Sequence, residues 1–564
     1  MIPTTLCWYI FRDLLRVFLM TALALAGIMS FAGLLRPLTQ HGLNGMQVAQ
    51  MLGYFMPAMT TYSLPVAALF ATTMVYGRFS ADNELVAARA AGISHWMISL
   101  PALVLGLLVA TVSLAMLAFL VPLATLQVER VIYSNLAQLV ANQIDRTHTI
   151  DFNQDETALT IWAGSARVID APAGNDDQVV QLSNVMIATY ERQGRGPNRI
   201  EVPTDFYIAR SAMAYITPAR GDEPVLLRVL LDQGAKFPRE LTGRRDQAVE
   251  VSIAATQFGP WPLPSPVREN SKFMPTRPLQ RLLPEPQESQ RLGRLMTQFV
   301  REDMRQAYLN RLLLQLTESS DRVRFVAGDE TYELIRGPAE PELVRDRLVI
   351  PSVPGHQQVR FRQIKADGSG LSGEAADVQV RAWPDLEDET MTVTVTLRGA
   401  TVTIDGQPSP RGDGFERTFV VPMPPQVTAI KDRRVEDYLT GTNILPDQQR
   451  RLLRDKLKQH NSIMSEIQSR LSFSLSCLVL VLVGACLGMM FRAGNFLSAF
   501  AVSVVPALLS IVLIVSGQHT AENIPWNIDR NFTDPLKLGL TLIWTGNATV
   551  ALLAMGLMWR LARK

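Results

Sequence analysis

The stretch VFLMTALALAGIMSFAGLL, Val17–Leu35, contains no Lys, Arg, Asp or Glu. A helix of about 20 residues crosses a hydrocarbon core about 30 Å thick, so this stretch is long enough to span a membrane. Five more charge-free stretches of similar length follow: Met51–Tyr76, Met97–Val121, Leu471–Met490, Phe496–Ser516 and Leu538–Leu557. A helix in a soluble core usually keeps a polar face, which these lack. The sequence therefore predicts six transmembrane helices, three before and three after a long polar block. Pro57 and Pro65 leave open a bent or re-entrant second span, because proline is tolerated in membrane helices whose freed carbonyls find other partners.

The 564 residues exceed one ordinary domain, and a net charge of +2 gives no basis for a nucleic-acid partner. Three regions are expected: residues 1–125 with the first three spans, an all-β block over 126–446 with a helical insertion at about 287–318, and residues 447–564 with a connector helix and the last three spans. Cys7, Cys477 and Cys486 all lie outside the block, which must be held by its own core rather than by disulfides. Arg12 and Arg16 precede the first apolar run, as in a signal peptide. The run is longer than a signal core and a second span follows, so a retained helix is expected.

Basic residues in short loops set orientation. With a cytoplasmic N-terminus, that side holds Arg12, Arg16, Arg78, Arg89, Arg492, Arg560, Arg563 and Lys564, against Arg36, Arg530 and Lys537 opposite. Both termini are expected in the cytoplasm and the block across the membrane, a compartment that in a Gram-negative-type cell is the periplasm.

Within the block, Met391, Val393, Val395 and Leu397 alternate with Thr392, Thr394 and Thr396, the period of a half-buried strand. Leu159–Trp162, Val179–Tyr190 and Phe206–Ile216 suit further strands, with turns expected at Ala173–Asp176 and Asp405-Gly406. An antiparallel sandwich or jelly roll is the natural class. After the Pro-rich stretch Pro260–Pro286, an apolar face on Leu292, Leu295, Phe299, Ala307, Leu312 and Leu316 predicts a helix over Ser289–Glu318. It suits packing on the sandwich or binding a partner. Pro446 suits the start of a last helix, Asp447–Gln468, which is either a path for motion or a rigid stalk.

The loop between spans two and three reads Gly77-Arg78-Phe79-Ser80-Ala81-Asp82-Asn83-Glu84-Leu85-Val86-Ala87-Ala88-Arg89-Ala90-Ala91-Gly92. Ser80 suits an N-cap, Asp82 and Glu84 a first turn favoured by the helix dipole, and Gly92 a C-terminal cap. A helix at about 80–92 is expected. Its alanines allow close approach and Glu84 offers a charge to a basic partner; the same residues also suit a solvated connecting loop.

Gly77–Glu84, followed by Arg89-Ala90-Ala91-Gly92-Ile93-Ser94, resembles the cytoplasmic signature of the lipopolysaccharide export permeases, the paired F and G subunits of the Lpt system. Arg470-Leu471-Ser472-Phe473-Ser474 leading to Gly484 and Leu487-Gly488, and Trp544-Thr545-Gly546-Asn547 followed by Gly556, resemble the fourth and sixth spans of that family. The chain departs from it in having Ser474 and Gly546 where proline is frequent, and in the size of its polar block.

The resemblance implies a permease subunit of an ABC-type exporter that extracts lipopolysaccharide, or a related amphipathic lipid, and passes it to a periplasmic jelly-roll bridge protein. It implies pairing with an identical or paralogous permease and docking on a cytoplasmic ABC ATPase dimer. Glu84 would make the main ionic contact, with Asp82 and Arg89 at the rim. The lipid would enter between span one of one subunit and span five of the other; Phe18, Met20, Leu34 and the second-span methionines are candidates to line that path and equally suit a surface facing bulk lipid. Each buried methylene is worth about 0.8 kcal/mol, so a multi-chain lipid needs an apolar path throughout. Arg36 and Arg470, at the outer ends of spans one and four, are candidate contacts for the lipid phosphate, and Arg36 equally suits an interfacial snorkelling role. No cofactor is expected on this chain, ATP being held by the ATPase. No phosphate loop, H-E-x-x-H pair or nucleophile elbow occurs, so the chain is not expected to be an enzyme. The competing expectations are an ATPase-coupled membrane protein that transmits force without moving lipid, and an envelope-binding scaffold.

Overall fold

The computed structural model describes residues 4–41, 45–125, 127, 136–153, 158–169, 177–193, 200–218, 225–238, 251–253, 256–262, 270–319, 321–327, 330–344, 347–351, 359–364, 370–386, 388–398, 401–404, 407–408, 414–440, 446–491, 496–525 and 534–563. Its helices are α1 (Thr4–His41), α2 (Gly45–Ala81), α3 (Glu84–Ala90), α4 (His95–Ala115), α5 (Leu136–Thr147), α6 (Thr276–Arg281), α7 (Gln290–Leu314), α8 (Pro425–Thr428), α9 (Val435–Thr440), α10 (Pro446–Met490), α11 (Phe496–Glu522) and α12 (Pro535–Arg563). Six segments among the described residues are long and apolar enough to cross a membrane: Thr4–Gly33, Leu52–Ala81, His95–Thr125, Gln448–Met490, Phe500–Glu522 and Pro535–Leu561. Contacts divide the chain into two compact units, residues 1–283, 460–524 and 533–564, and residues 284–459 and 525–532. The chain is a helical membrane domain with β structure inserted between its helices, and strands occur in both units.

The first unit holds the apolar helices. Ile10, Leu14, Phe18, Ala22 and Ala26 of α1 recur every four residues and are all buried, the stripe that a helix turns toward a neighbour. The first four share one core with Ala67, Ala71 and Val75 of α2, Ile98, Ala102 and Leu105 of α4, and Cys477, Val481 and Ala485 of α10. The α2 helix is continuous through Pro57 and Pro65. Water cannot drive helix association inside a bilayer, so close packing by small residues replaces it. A Cβ on Gly488 of α10 would lie 2.9 Å from the Thr73 carbonyl oxygen and from Tyr76 Cβ, both on α2. Gly484, one turn earlier, has Leu69 O of the same helix 2.9 Å from where its Cβ would be. Between α11 and α12, Gly517 and Gly539 play the same part, a Cβ on either meeting the other's carbonyl oxygen within 2.6 Å.

The same unit carries a seven-stranded antiparallel sheet: β1 (Thr149–Asn153), β2 (Ala158–Ile169), β3 (Gln178–Gln193), β4 (Ile200–Thr217), β5 (Leu226–Pro238), β6 (Val251–Ile253) and β7 (Thr256–Pro262). The first six lie in sequence order, and β7 pairs with β5 beside β6. One face buries Ile161, Leu182, Ile187, Ala212 and Leu231 with Ala137, Ala141 and Ile144 of α5.

The second unit is a β-sandwich. A five-stranded sheet runs β10 (Glu342–Val344), β11 (Arg347–Pro351), β14 (Asp377–Asp385), β15 (Thr390–Arg398) and β18 (Gly414–Pro422). A six-stranded sheet runs β17 (Gln407–Pro408), β16 (Thr401–Ile404), β13 (Gly370–Ala375), β12 (Val359–Ile364), β9 (Glu330–Ile335) and β8 (Arg322–Ala327). The alternation in β15 appears as expected: Met391, Val393, Val395 and Leu397 are fully buried, while the Thr394 hydroxyl meets that of Thr418 at 3.0 Å. Phe419 stacks on Tyr332 across the core with centroids 4.1 Å apart. Ser289 caps α7, its hydroxyl accepting from the Leu292 amide at 3.2 Å, and the helix lays Leu292, Leu295, Phe299 and Leu312 into this core. The turns expected at Ala173–Asp176 and Asp405-Gly406 lie outside the described residues.

Gly488→Val should force α2 and α10 apart. Thermal unfolding of the purified chain in detergent is expected to fall by several degrees, whereas Gly27→Ala, with open space around it, should leave the midpoint in place.

Candidate functional site

Two chemical features stand apart from routine packing. The first is the hairpin between α2 and α4. Ser80 is not a helix N-cap, as its position had suggested. The α2 helix runs on to Ala81, and the buried Ser80 hydroxyl donates to the Met489 carbonyl of α10 at 3.2 Å. Phe79 is buried with Tyr9 edge-on at 5.6 Å, the Tyr76 hydroxyl donates to Ile98 O at 2.8 Å, and Arg78 pairs with Asp13. Asn83, in the left-handed region at φ 58°, turns the chain into α3. Asparagine tolerates that conformation better than most residues.

The α3 helix closes on Gly92, at φ 84°, with Gly92 N–H donating to Arg89 O at 2.8 Å and Ile93 N–H to Ala88 O at 3.1 Å. This is the double bond of a Schellman cap. Ser94 then caps α4 by accepting from the Met97 amide at 3.4 Å. Glu84 stands exposed in the first turn of α3, Asp82 is exposed just before it, and Arg89 is half-buried in the last turn. None of the α3 residues is buried. A helix of seven residues is too short to be stable in water alone. Its shape is imposed by the two anchored ends.

The second feature is a polar cluster at the other end of the helices, around Arg470 of α10. Its guanidinium is 4% exposed and donates through Nε to Glu466 Oε1 at 2.8 Å. Through Nη1 and Nη2 it donates to Thr276 Oγ1 at 3.2 Å, Ser271 O at 3.3 Å, Lys272 O at 3.2 Å and Met274 O at 2.8 Å. Gln518 of α11 donates to the second Glu466 oxygen at 2.9 Å. Arg470 thus clasps the segment before α6 onto α10, and its donors point to protein groups. Arg36, the other candidate phosphate contact, lies in α1, but its side chain is outside the described residues. Sequence reasoning missed Glu466, although its spacing four residues before Arg470 is the signal of a helical ion pair.

Deeper in the bundle, Asn547 of α12 donates to Ser472 O at 2.6 Å and accepts from the Ser510 hydroxyl at 3.1 Å, joining α10, α11 and α12. Apolar surface remains on α1 and α11, where Met20, Leu23, Ile28, Val505, Leu508 and Val512 are exposed. Phe18 is buried in the helix core and does not belong to that surface. On the seven-stranded sheet, Trp162, Met186 and Ile208 sit side by side in register on three adjacent strands. All three are exposed, on the face opposite that covered by α5.

The sequence model of the lipopolysaccharide export system permease LptF/LptG family matches residues 8–203 and 390–560, more than half of the chain. The matched parts contain the hairpin, Arg470 and Asn547. The unmatched part holds most of the second unit. No curated protein matches the chain.

Arg470→Met should leave Glu466 buried without its cation, a loss of about 3–5 kcal/mol. Limited trypsin digestion is expected to cut faster near Lys272 and Arg277, and adding Glu466→Leu should recover most of the stability.

Proposed function

The chain belongs to the lipopolysaccharide export permease LptF/LptG family, and from that premise we propose that its α3 hairpin is the seat of a cytoplasmic ABC ATPase that powers lipid extraction. Members of this family are multi-pass inner-membrane transporter subunits rather than enzymes. ATP is bound and hydrolysed by the ATPase pair, and both termini of this chain lie on the same side as that pair. A second permease, identical or paralogous, completes the transporter.

The observation that carries this reading is a helix with no buried residue held by a rigid base. Glu84 at its exposed first turn makes an ion pair with an Arg or Lys of the ATPase, and Asp82 and Arg89 flank that contact. Partial burial by the partner strengthens such a pair beyond its value in water. Movement of α3 passes through Ser80 and the glycine seam to α10, whose 45 residues reach about 68 Å at the usual helical rise.

The cargo is lipopolysaccharide or a close amphipathic relative. It enters between the apolar faces of α1 and of the fifth span of the paired subunit, with Arg36 at the outer end of α1 attracting its phosphate. The β structure lies in the periplasm and takes a jelly-roll-like part in the path. The row Trp162–Met186–Ile208 offers acyl chains an apolar surface once they leave the bilayer. A bridge protein then continues the sheet by strand addition. Arg470, with its donors occupied, acts as a clasp between this β part and the helices rather than as a lipid ligand.

Glu84→Arg tests the docking. Co-purification of the ATPase with the permease is expected to fall at least tenfold, while the permease still folds and pairs. Unchanged co-purification would remove the hairpin from the coupling path.

A further inference from the structure

A cavity of about 390 Å³ lies where α2, α3, α4, α10 and α12 end. This is within the range of ligand pockets, and larger than routine packing defects. Its walls include Leu85, Val86 and Arg89 of α3, His95 of α4, and Met489 and Met490 of α10. Neither ring nitrogen of His95 is open to solvent, and neither has a hydrogen-bond partner among the described residues. His95 itself is half-buried, but ring nitrogens shielded from water and without partners are costly, which leaves this wall of the cavity able to take a hydrogen-bonding ligand. The surrounding helix ends also carry Arg12, Arg16, Arg78, Arg560 and Arg563, against Asp13, Asp82 and Glu84. The excess of positive charge sits at headgroup level for the bilayer that these helices cross.

We propose that this cavity seats the headgroup of an anionic phospholipid from the leaflet at that end of the helices. Rotation of the His95 ring about χ2 turns its N–H toward a phosphate oxygen, and Arg89 supplies the opposing charge. The aliphatic wall of Leu85 and Val86 meets the glycerol and first methylenes, and the two methionines adapt to their shape. A zwitterionic headgroup would bring an ammonium among arginines, so a net negative lipid is preferred. The lipid bridges α3 to α10 and makes the rigidity of the hairpin depend on the membrane around it. The proposal rests on the membrane reading of the family; it shares Arg89 with the rim of the proposed docking surface but does not use Glu84.

Native mass spectrometry of the full transporter, reconstituted in nanodiscs of phosphatidylcholine with phosphatidylglycerol, reads the site directly. Wild type is expected to retain one more phosphatidylglycerol per copy of this chain than His95→Leu, with His95→Gln restoring retention. Val86→Trp, which fills the cavity from a half-exposed position, is also expected to lose that lipid. Equal retention by wild type, His95→Leu and Val86→Trp overturns the proposal. So does retention of phosphatidylcholine as readily as phosphatidylglycerol, or a side chain of the ATPase found in the cavity. Glu84→Arg, if it releases the ATPase but keeps the lipid, supports the two readings separately.

Discussion

The close approach of α2 and α10 is the constraint on which the rest of the helix bundle depends. Gly484 and Gly488 leave the two backbones nearly in contact with Leu69, Thr73 and Tyr76, and no other side chain fits there. One turn beyond this seam, Ser80 donates to Met489 O, so the base of the hairpin is part of the same packed unit. The hairpin's seven-residue helix survives because its ends are fixed.

Polar groups inside the helices follow from the same physics. Within a bilayer, an unpaired donor has no water to turn to, so each must be satisfied by protein. Asn547 spends its amide on Ser472 and Ser510, and Arg470 spends its guanidinium on Glu466, Thr276 and three backbone carbonyls. These bonds specify which helices touch and in what register, where apolar packing alone would allow sliding. The Arg470 clasp also reaches back to a segment nearly two hundred residues earlier in sequence. It fixes where the chain re-enters the helices after the seven-stranded sheet.

Much of this was legible in the sequence, for identifiable reasons. The charge-free runs survive as helices because length and composition alone decide whether a segment can span a membrane. The Thr and Val alternation of 391–397 survives because one face is buried and the other is not. Gly92 acts as the cap its position suggests because that role is local. Ser80 misled because its hydroxyl is claimed by α10, a tertiary partner that no local pattern announces. The carbonyl partners of Arg470 at 271, 272 and 274 are likewise tertiary and cannot be inferred from spacing. The size of the polar block was plain, but its division between two units was not, because strands with the same alternation serve a seven-stranded sheet in one and a sandwich in the other.

Lipid transfer from reconstituted vesicles is the measurement that bears most directly on the central claim. A cysteine at Leu23 of α1, disulfide-linked to one on the fifth helix of the paired subunit, closes the proposed gate without touching the hairpin. With the ATPase bound and ATP present, the account predicts that lipopolysaccharide release stops in the linked complex and returns on reduction. Undiminished release from the linked complex would contradict it.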